Sequence, residues 1–143
     1  MANLSAAAQL TRPESGLASF STCWLETSIA AVTVHGELDA SNSADFVEYV
    51  STLLPFAERL IIDLSAVRFF GTDAFSAIHA VGVHAAGHGA NWALIPSGEV
   101  TRVLRLCDPD GVAPARANVT AALGRVRRGA RWFPRLVTDR SQT

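Results

Sequence analysis

The stretch that decides the fold is LIIDLSAVRFFGTDAF, residues 60–75. It begins with three aliphatic residues and runs through Asp-Leu-Ser to a pair of phenylalanines. A short apolar run without alternation is typical of a strand buried on both faces, and residues 59–64 are predicted to form one. Gly71, Thr72 and Asp73 follow, where the sequence predicts the start of a helix. The stretch therefore places a hydroxyl and a carboxylate at an exposed helix start, directly after a buried strand.

Strand-like and helix-like segments alternate on both sides of this stretch. Two strand-like segments joined by a short turn precede the first predicted helix. In chain order, the sequence predicts strands over residues 20–26 and 29–36, a helix over 44–54, a strand over 59–64, a helix over 73–88, a strand over 91–96, a helix over 98–106, a weak strand over 112–115 and a helix over 118–126. This order predicts an α/β fold in which helices pack against a mixed β-sheet of four to five strands.

Length and composition indicate one globular domain. The chain has 143 residues, of which 49% are hydrophobic and 17% are charged, and its net charge is -1. So small a net charge gives no general attraction to nucleic acid. No run approaches the roughly 20 apolar residues that a membrane helix needs. Residues 1–10 also lack the basic start and apolar stretch of a secretory signal, so a cytoplasmic location without membrane contact is expected.

The two ends of the chain differ in composition from the predicted domain, which spans residues 19–127. Residues 1–18 are rich in Ala, Ser and Thr and are expected to form a flexible arm. Residues 128–143 are expected to form a basic tail. The two cysteines, Cys23 and Cys107, are expected to be reduced and to be buried as small hydrophobic side chains.

Three stretches, in this order, resemble the STAS domain family, the fold of anti-sigma factor antagonists. VHGELDASNSADF, residues 34–46, resembles the strand-Gly-x-Leu-Asp-helix opening of these domains. Residues 60–75 resemble their central signature, a strand ending in Asp-Leu-Ser and a loop that carries a phosphorylated hydroxyl. NWALIPSGEVTRVLRLCDPDGV, residues 91–112, resembles a later strand-helix pair. The resemblance implies a STAS-like α/β fold and a binding module in transcription control. No P-loop, Gly-rich dinucleotide turn or catalytic triad appears in the sequence, so no enzyme activity and no cofactor are expected.

The resemblance also implies a partner and a site. The unmodified chain would bind an anti-sigma factor and free a sigma factor, and a kinase activity in that partner would phosphorylate Thr72 and break the complex. The implied partner surface comprises Glu37, Asp39, Gly71, Thr72 and Asp73. Switched members of the family usually present Asp-Ser-Ser-Gly where this chain has Gly-Thr-Asp-Ala, residues 71–74. That departure keeps a second hypothesis open, a STAS domain that is not phosphorylated and acts as a scaffold or ligand sensor.

Thr72 and Asp73 also have simpler structural interpretations. A threonine at a helix start can act as the N-cap, accepting a hydrogen bond from a free backbone N–H at a gain of about 1 kcal/mol. A carboxylate in the first turn stabilises a helix by about 0.3–1 kcal/mol through the macrodipole. A cap that is exposed is also chemically accessible, so the cap and the phosphorylation hypotheses are compatible.

Two other groups of side chains suggest chemistry only weakly. Glu37 and Asp39 follow the second predicted strand, at the same sheet end as the Thr72 loop if the second and third predicted strands are parallel. A carboxylate pair could serve acid-base catalysis, but no nucleophile or cofactor motif accompanies them. His79, His84 and His88 share a predicted helix, and the last two have the i,i+4 spacing that zinc can use. Because no third ligand is evident, no metal site is predicted.

The segment RVRRGARWFPR, residues 125–135, combines five arginines with Trp132 and Phe133. Arginines interleaved with aromatic residues can bind nucleic acid through phosphate contacts and base stacking. One short basic run is more often a solvated tail. Nucleic-acid binding through this segment therefore remains the less favoured alternative to a protein partner.

Overall fold

The structure, a computed structural model, describes residues 9–132 and the side chains of residues 16–128. Within that part of the chain, five strands form one sheet in the order β1-β2-β3-β4-β5. The strands are β1 Gln9–Ser15, β2 Ala18–Glu26, β3 Ile29–Leu38, β4 Arg59–Phe70 and β5 Asn91–Pro96. The pairs β1–β2 and β2–β3 are antiparallel, whereas β3–β4 and β4–β5 are parallel. The predicted mixed sheet of four to five strands is confirmed.

Helices cover both faces of the sheet. The described residues form α1 Ser43–Leu53, α2 Thr72–Gly87, α3 Gly98–Cys107 and α4 Val119–Trp132, with a short 3-10 turn, Leu54–Phe56, after α1. The larger core cluster joins one sheet face to α1, α2 and α3. A smaller cluster joins the other face to α4. The predicted α/β packing of helices against the sheet is therefore confirmed.

The unalternating apolar start of β4 follows from this double cover. Leu60, Ile62 and Leu64 are fully buried and belong to the cluster with α1, α2 and α3. Ile61 points to the other face, where it packs with Ala122 and Val126 of α4. Because apolar side chains are needed on both faces, the strand carries them at consecutive positions.

β4 is six residues longer than predicted, ending at Phe70 instead of Leu64. Its second half stays paired with β3, as in the register Gly36–Val67 and Leu38–Phe70. Polar Ser65 and Arg68 alternate there with buried apolar residues, so this half faces solvent on one side. The prediction ended at Leu64 because the sequence there changes from apolar residues on both faces of the strand to apolar residues on one face.

The predicted flexible arm over residues 1–18 is wrong for its second half. Gln9–Ser15 forms β1, whose Arg12 pairs with Phe20 of β2. An edge strand is held by backbone hydrogen bonds, so it can form without apolar periodicity, and it tolerates Pro13 near an irregularity in the pairing. Residues 1–8 lie outside the described residues.

The C-terminal segments differ from the predictions in two ways. The weak strand over residues 112–115 is reduced to one bridge between Leu94 and Ala115. The last helix continues to Trp132, beyond the predicted end at Val126 and into the predicted basic tail. The rest of that tail, residues 133–143, lies outside the described residues.

Gly36 lies near the end of β3 with a positive φ, and its replacement by alanine is expected to destabilise the domain. Gly36 has a φ of 105°, and a Cβ there would lie 2.1 Å from the Leu17 carbonyl oxygen, which accepts a hydrogen bond from the Glu37 N–H. The expected loss in free energy of unfolding is at least about 2 kcal/mol in urea titrations. The matched control is Gly87→Ala, since an added Cβ meets nothing within 4 Å in that helix. Equal losses for both variants would contradict this explanation.

Candidate functional site

The loops after β3 and β4 meet at one end of the sheet. The Gly71 N–H donates a hydrogen bond of 2.9 Å to the Leu38 carbonyl oxygen. A Cβ added at Gly71 would lie 3.7 Å from both Cα and Cβ of Asp39. The parallel pairing of β3 and β4 thus brings Glu37 and Asp39 to the same sheet end as residues 71–73, as the sequence predicts.

Thr72 is the first residue of α2 and not its N-cap, so the predicted capping role is wrong. The N-cap is Gly71, with extended backbone angles and no side-chain cap hydrogen bond. Its carbonyl oxygen accepts the Ala74 N–H at 2.9 Å. The Thr72 side chain is exposed, and no hydrogen bond to its hydroxyl occurs in the described part of the chain. The hydroxyl is therefore accessible to a partner, and it does not cap the helix.

Asp73 lies in the first turn of α2 and is exposed. A carboxylate there stabilises the helix through its macrodipole, as predicted. Gly71 has a φ of -73°, and an added Cβ would meet its nearest neighbour, the Phe69 ring, at 3.5 Å. The backbone at position 71 therefore does not require glycine, and a side chain would fit there in ordinary van der Waals contact.

Asp39 is held in its charged form by Ser41. Its Oδ1 accepts hydrogen bonds from the Ser41 hydroxyl at 2.6 Å and from the Ser41 N–H at 2.9 Å. The hydroxyl hydrogen bond, followed by the backbone one, lowers the pKa of Asp39 below its ordinary value. Asp39 thus carries a negative charge at neutral pH, next to the start of α2.

Asn42 fixes the loop that carries Asp39, a role that the sequence analysis missed. Its side chain is buried, donates a hydrogen bond of 2.9 Å to the Glu37 carbonyl oxygen and accepts one of 3.1 Å from the Asp39 N–H. Although Asn42 is the N-cap residue of α1, it makes no side-chain cap hydrogen bond. Its residue type suggests a helix cap, and only the fold shows that it ties down the loop instead.

Phe69 is the second residue that the sequence analysis did not assign to the site. Its side chain is 45% exposed and borders a shallow depression, named here the Thr72 surface. The residues of this surface are Asp39, Ala40, Ser41, Phe69, Gly71, Thr72 and Asp73. Val67 and Phe70 are buried with two exposed residues between them, where the pairing of β4 with β3 shifts register. Strict alternation from Val67 would bury Phe69, so no local pattern indicated its exposure.

Glu37 lies beside this surface rather than in it. It is opposite Phe69 in the β3–β4 register, and its carboxylate lies 3.7 Å from the guanidinium of Arg68. Both side chains are substantially exposed, so the pair contributes little to stability. The arrangement as a whole presents carboxylates, an aromatic ring and one exposed hydroxyl together at one end of the sheet.

The remaining candidate residues are not gathered into this surface. Among the described side chains, no group of three or more could hold a metal ion. Cys23 is half-buried and Cys107 is exposed at the end of α3, so the prediction that both are buried is wrong for Cys107. No helix within residues 9–132 is both long and apolar enough to cross a lipid bilayer.

Comparisons with known proteins agree with this architecture. No curated protein sequence matches the chain. An anti-sigma factor antagonist from Mycobacterium paratuberculosis superimposes with a TM-score of 0.68 at 24% identity, covering 82% of this chain and 99% of that one. The anti-sigma factor antagonist SpoIIAA in its unphosphorylated form gives a TM-score of 0.63 at 16% identity, with coverage of 76% and 96%.

The same fold also occurs within a much larger protein. SLC26A9 gives a TM-score of 0.62 at 16% identity, over 73% of this chain and 20% of that one. At such identities the structural likeness establishes the fold and not the activity. The family follows from the sequence itself, since residues 26–122 match the model of the STAS domain. With more than half of its length matched, the chain belongs to the STAS domain family.

Proposed function

We propose that this protein is an anti-sigma factor antagonist, which binds an anti-sigma factor through the Thr72 surface and thereby releases a sigma factor. Phosphorylation of Thr72 by a kinase activity of that partner would then break the complex. The protein itself acts by binding, in the cytoplasm, and not by catalysis. The observation that carries the proposal is an exposed hydroxyl at the first position of α2, without a hydrogen bond among the described residues, on a surface that also holds an exposed aromatic ring.

The charges around Thr72 support a switch. A phosphate adds a charge of about -1.5 to -2 at neutral pH. Asp39 is ionised at neutral pH, with its pKa lowered further by hydrogen bonds from Ser41, and Asp73 follows Thr72 directly in the chain. A phosphate on Thr72 would therefore concentrate negative charge on a surface that a partner must desolvate, and burying such charge without a cation costs several kcal/mol.

A second candidate function, partner binding without phosphorylation, has support from the sequence of the loop at residues 71–73. Gly71 and Asp73 depart from the pattern of switched members, which favours a STAS domain that binds its partner without being phosphorylated. Both hypotheses use the same surface, so binding alone does not separate them. Transfer of a phosphate to Thr72 separates the two hypotheses, because only the first one requires it.

The experiment incubates the purified chain with a candidate anti-sigma factor and Mg-ATP. Mass spectrometry then locates phosphate, and calorimetric titration measures binding before and after the reaction. Phosphate on Thr72 together with weaker binding supports the switch. Tight binding without phosphate on Thr72 supports the unphosphorylated scaffold, and absence of binding to any anti-sigma factor of the host cell contradicts the proposed function.

Phe69 is expected to anchor the partner. Exposed aromatic side chains at the centre of an interface often contribute more than 2 kcal/mol to binding, so Phe69→Ala should weaken affinity for the anti-sigma factor by about tenfold or more. The matched control is Phe56→Ala, because Phe56 is 71% exposed but precedes β4, at the other end of the sheet. Equal affinities of the two variants in calorimetric titration would exclude Phe69 as an anchor.

A further inference from the structure

Three arginines gather where α4 lies along the outer edge of β5. The backbone N–H of Arg116 donates a hydrogen bond of 2.8 Å to the Leu94 carbonyl oxygen of that strand, and its guanidinium donates one of 2.8 Å to the Ala115 carbonyl oxygen. The Arg125 side chain donates one of 3.4 Å to the Trp92 carbonyl oxygen, and Arg128 follows Arg125 after one turn of the helix. These residues, Arg116, Arg125 and Arg128, are named here the arginine patch. They lie on and beside the helix that covers the sheet face opposite α1, α2 and α3.

The arginine patch has no carboxylate partner among the described residues. The ion pairs among the described residues are Arg68–Glu37, Arg102–Glu99 and Arg127–Glu26. Arg127 is thus neutralised although it is adjacent in sequence to Arg128. No carboxylate with a described side chain therefore pairs with the positive charge of the patch, in a protein whose net charge is -1.

The electrostatics of Arg125 reflect this imbalance. Partial burial first, and then the positive charges of Arg116 and Arg128, lower the pKa of its guanidinium. A guanidinium stays charged at neutral pH even so. Three mutually repelling guanidinium groups gain energy when an anion binds between them, and their planar geometry matches the oxygens of a phosphate.

We propose that the arginine patch binds the phosphate backbone of a nucleic acid. The proposal concerns a surface other than the Thr72 surface and does not depend on sigma-factor control. Recognition would be independent of base sequence, because attraction between guanidinium groups and phosphates carries no sequence information. It would also be weak and strongly dependent on salt, since only a few phosphates are neutralised.

A nucleic acid fits the patch better than a membrane or an acidic protein does. A helix that binds a bilayer inserts its apolar face, but the apolar residues Ala122 and Val126 of α4 are fully buried against the sheet. A protein interface usually has an apolar core. Along the described part of α4, Val119 is the large apolar side chain that is exposed, at 44%. A surface on which guanidinium groups outnumber exposed apolar side chains, among the described residues, is suited to a polyphosphate chain.

The test uses the full chain and fluorescent oligonucleotides of about 20 nucleotides, as DNA and RNA, in anisotropy titrations between about 50 and 200 mM salt. For duplex DNA, three phosphate contacts predict a slope of about -2.7 for the logarithm of affinity against the logarithm of salt concentration. The double variant Arg125→Gln, Arg128→Gln should weaken binding at low salt by about tenfold or more and reduce the slope by about 2.

The matched control is Arg102→Gln, Arg105→Gln, which removes the same charge from exposed positions of α3. Equal weakening in both double variants would mean a bulk charge effect and would overturn the proposal. No oligonucleotide binding at low salt would overturn it too. So would displacement of the oligonucleotide by polyglutamate, or by anionic lipid vesicles, at lower charge concentration than by unlabelled DNA. If the Arg125 change prevents folding, Arg128→Gln alone, at an exposed position, should still reduce the slope by about 1.

Discussion

Replacing Ile62 with aspartate is expected to unfold the domain at room temperature. Ile62 is fully buried in β4, where it lies between Val32 of β3 and Leu94 of β5. Loss of the aliphatic side chain alone costs about 2–5 kcal/mol. The buried carboxylate adds a desolvation cost that nothing nearby offsets. Because a domain of this size is stable by only about 5–15 kcal/mol, the sum approaches or exceeds the whole.

Circular dichroism and urea titration measure this loss. The control is Val83→Asp, which makes a similar change at a position of α2 that is 58% exposed. That variant should stay within about 1 kcal/mol of the parent, the range of helix propensities. An Ile62→Asp protein with the thermal transition of the parent would show that the centre of the sheet has been wrongly assigned.

The second large effect concerns binding and not stability. Thr72→Glu is expected to weaken affinity for the anti-sigma factor by about 100-fold or more, because an unpaired charge buried in an interface costs about 2–5 kcal/mol. The fold should not suffer. A carboxylate at the first position of α2 interacts favourably with the helix macrodipole, so the free energy of unfolding should stay the same or rise slightly.

Two further variants separate charge from the loss of the hydroxyl. Thr72→Ser should bind and be phosphorylated like the parent, whereas Thr72→Ala should bind but accept no phosphate. Thr72→Ala should also be nearly as stable as the parent, since Thr72 is not the N-cap of α2. Calorimetric titration of the four proteins is the measurement. Equal affinity of Thr72→Glu and the parent would refute the switch, whatever the stability of the variants.

The position of the candidate site was largely predictable from sequence. Parallel strands that precede two polar loops place both loops at one sheet end, and this brought Asp39 and Gly71 together. The detailed contacts were not predictable. Asn42 has a residue type that suits a helix cap, but its amide bonds to the loop of Glu37 and Asp39. Residue propensity predicts the role that a residue type most often has. Tertiary geometry decides which hydrogen-bond partner its side chain reaches.

The arginine patch likewise combines a feature visible in the sequence with contacts that only the tertiary structure decides. The sequence shows a basic run that reads as a solvated tail, but α4 continues through Arg128, and its buried face fixes which arginines are held near Arg116. Along the described part of α4, whether an arginine is neutralised depends on a residue distant in the chain. Arg127 meets Glu26, which lies 101 positions away, and Arg128 meets no carboxylate in the described structure.

The sequence by itself determined the order of elements from β2 to α3, the double burial of the first half of β4 and the helix start at residues 71–73. These features depend on local periodicity and on short-range turn chemistry, which neighbouring residues carry. Tertiary structure alone decided three others: the edge strand Gln9–Ser15, the exposure of Phe69 and the first helical position of Thr72. Each of these depends on a backbone or packing partner supplied by another part of the chain, so no local pattern could contain it.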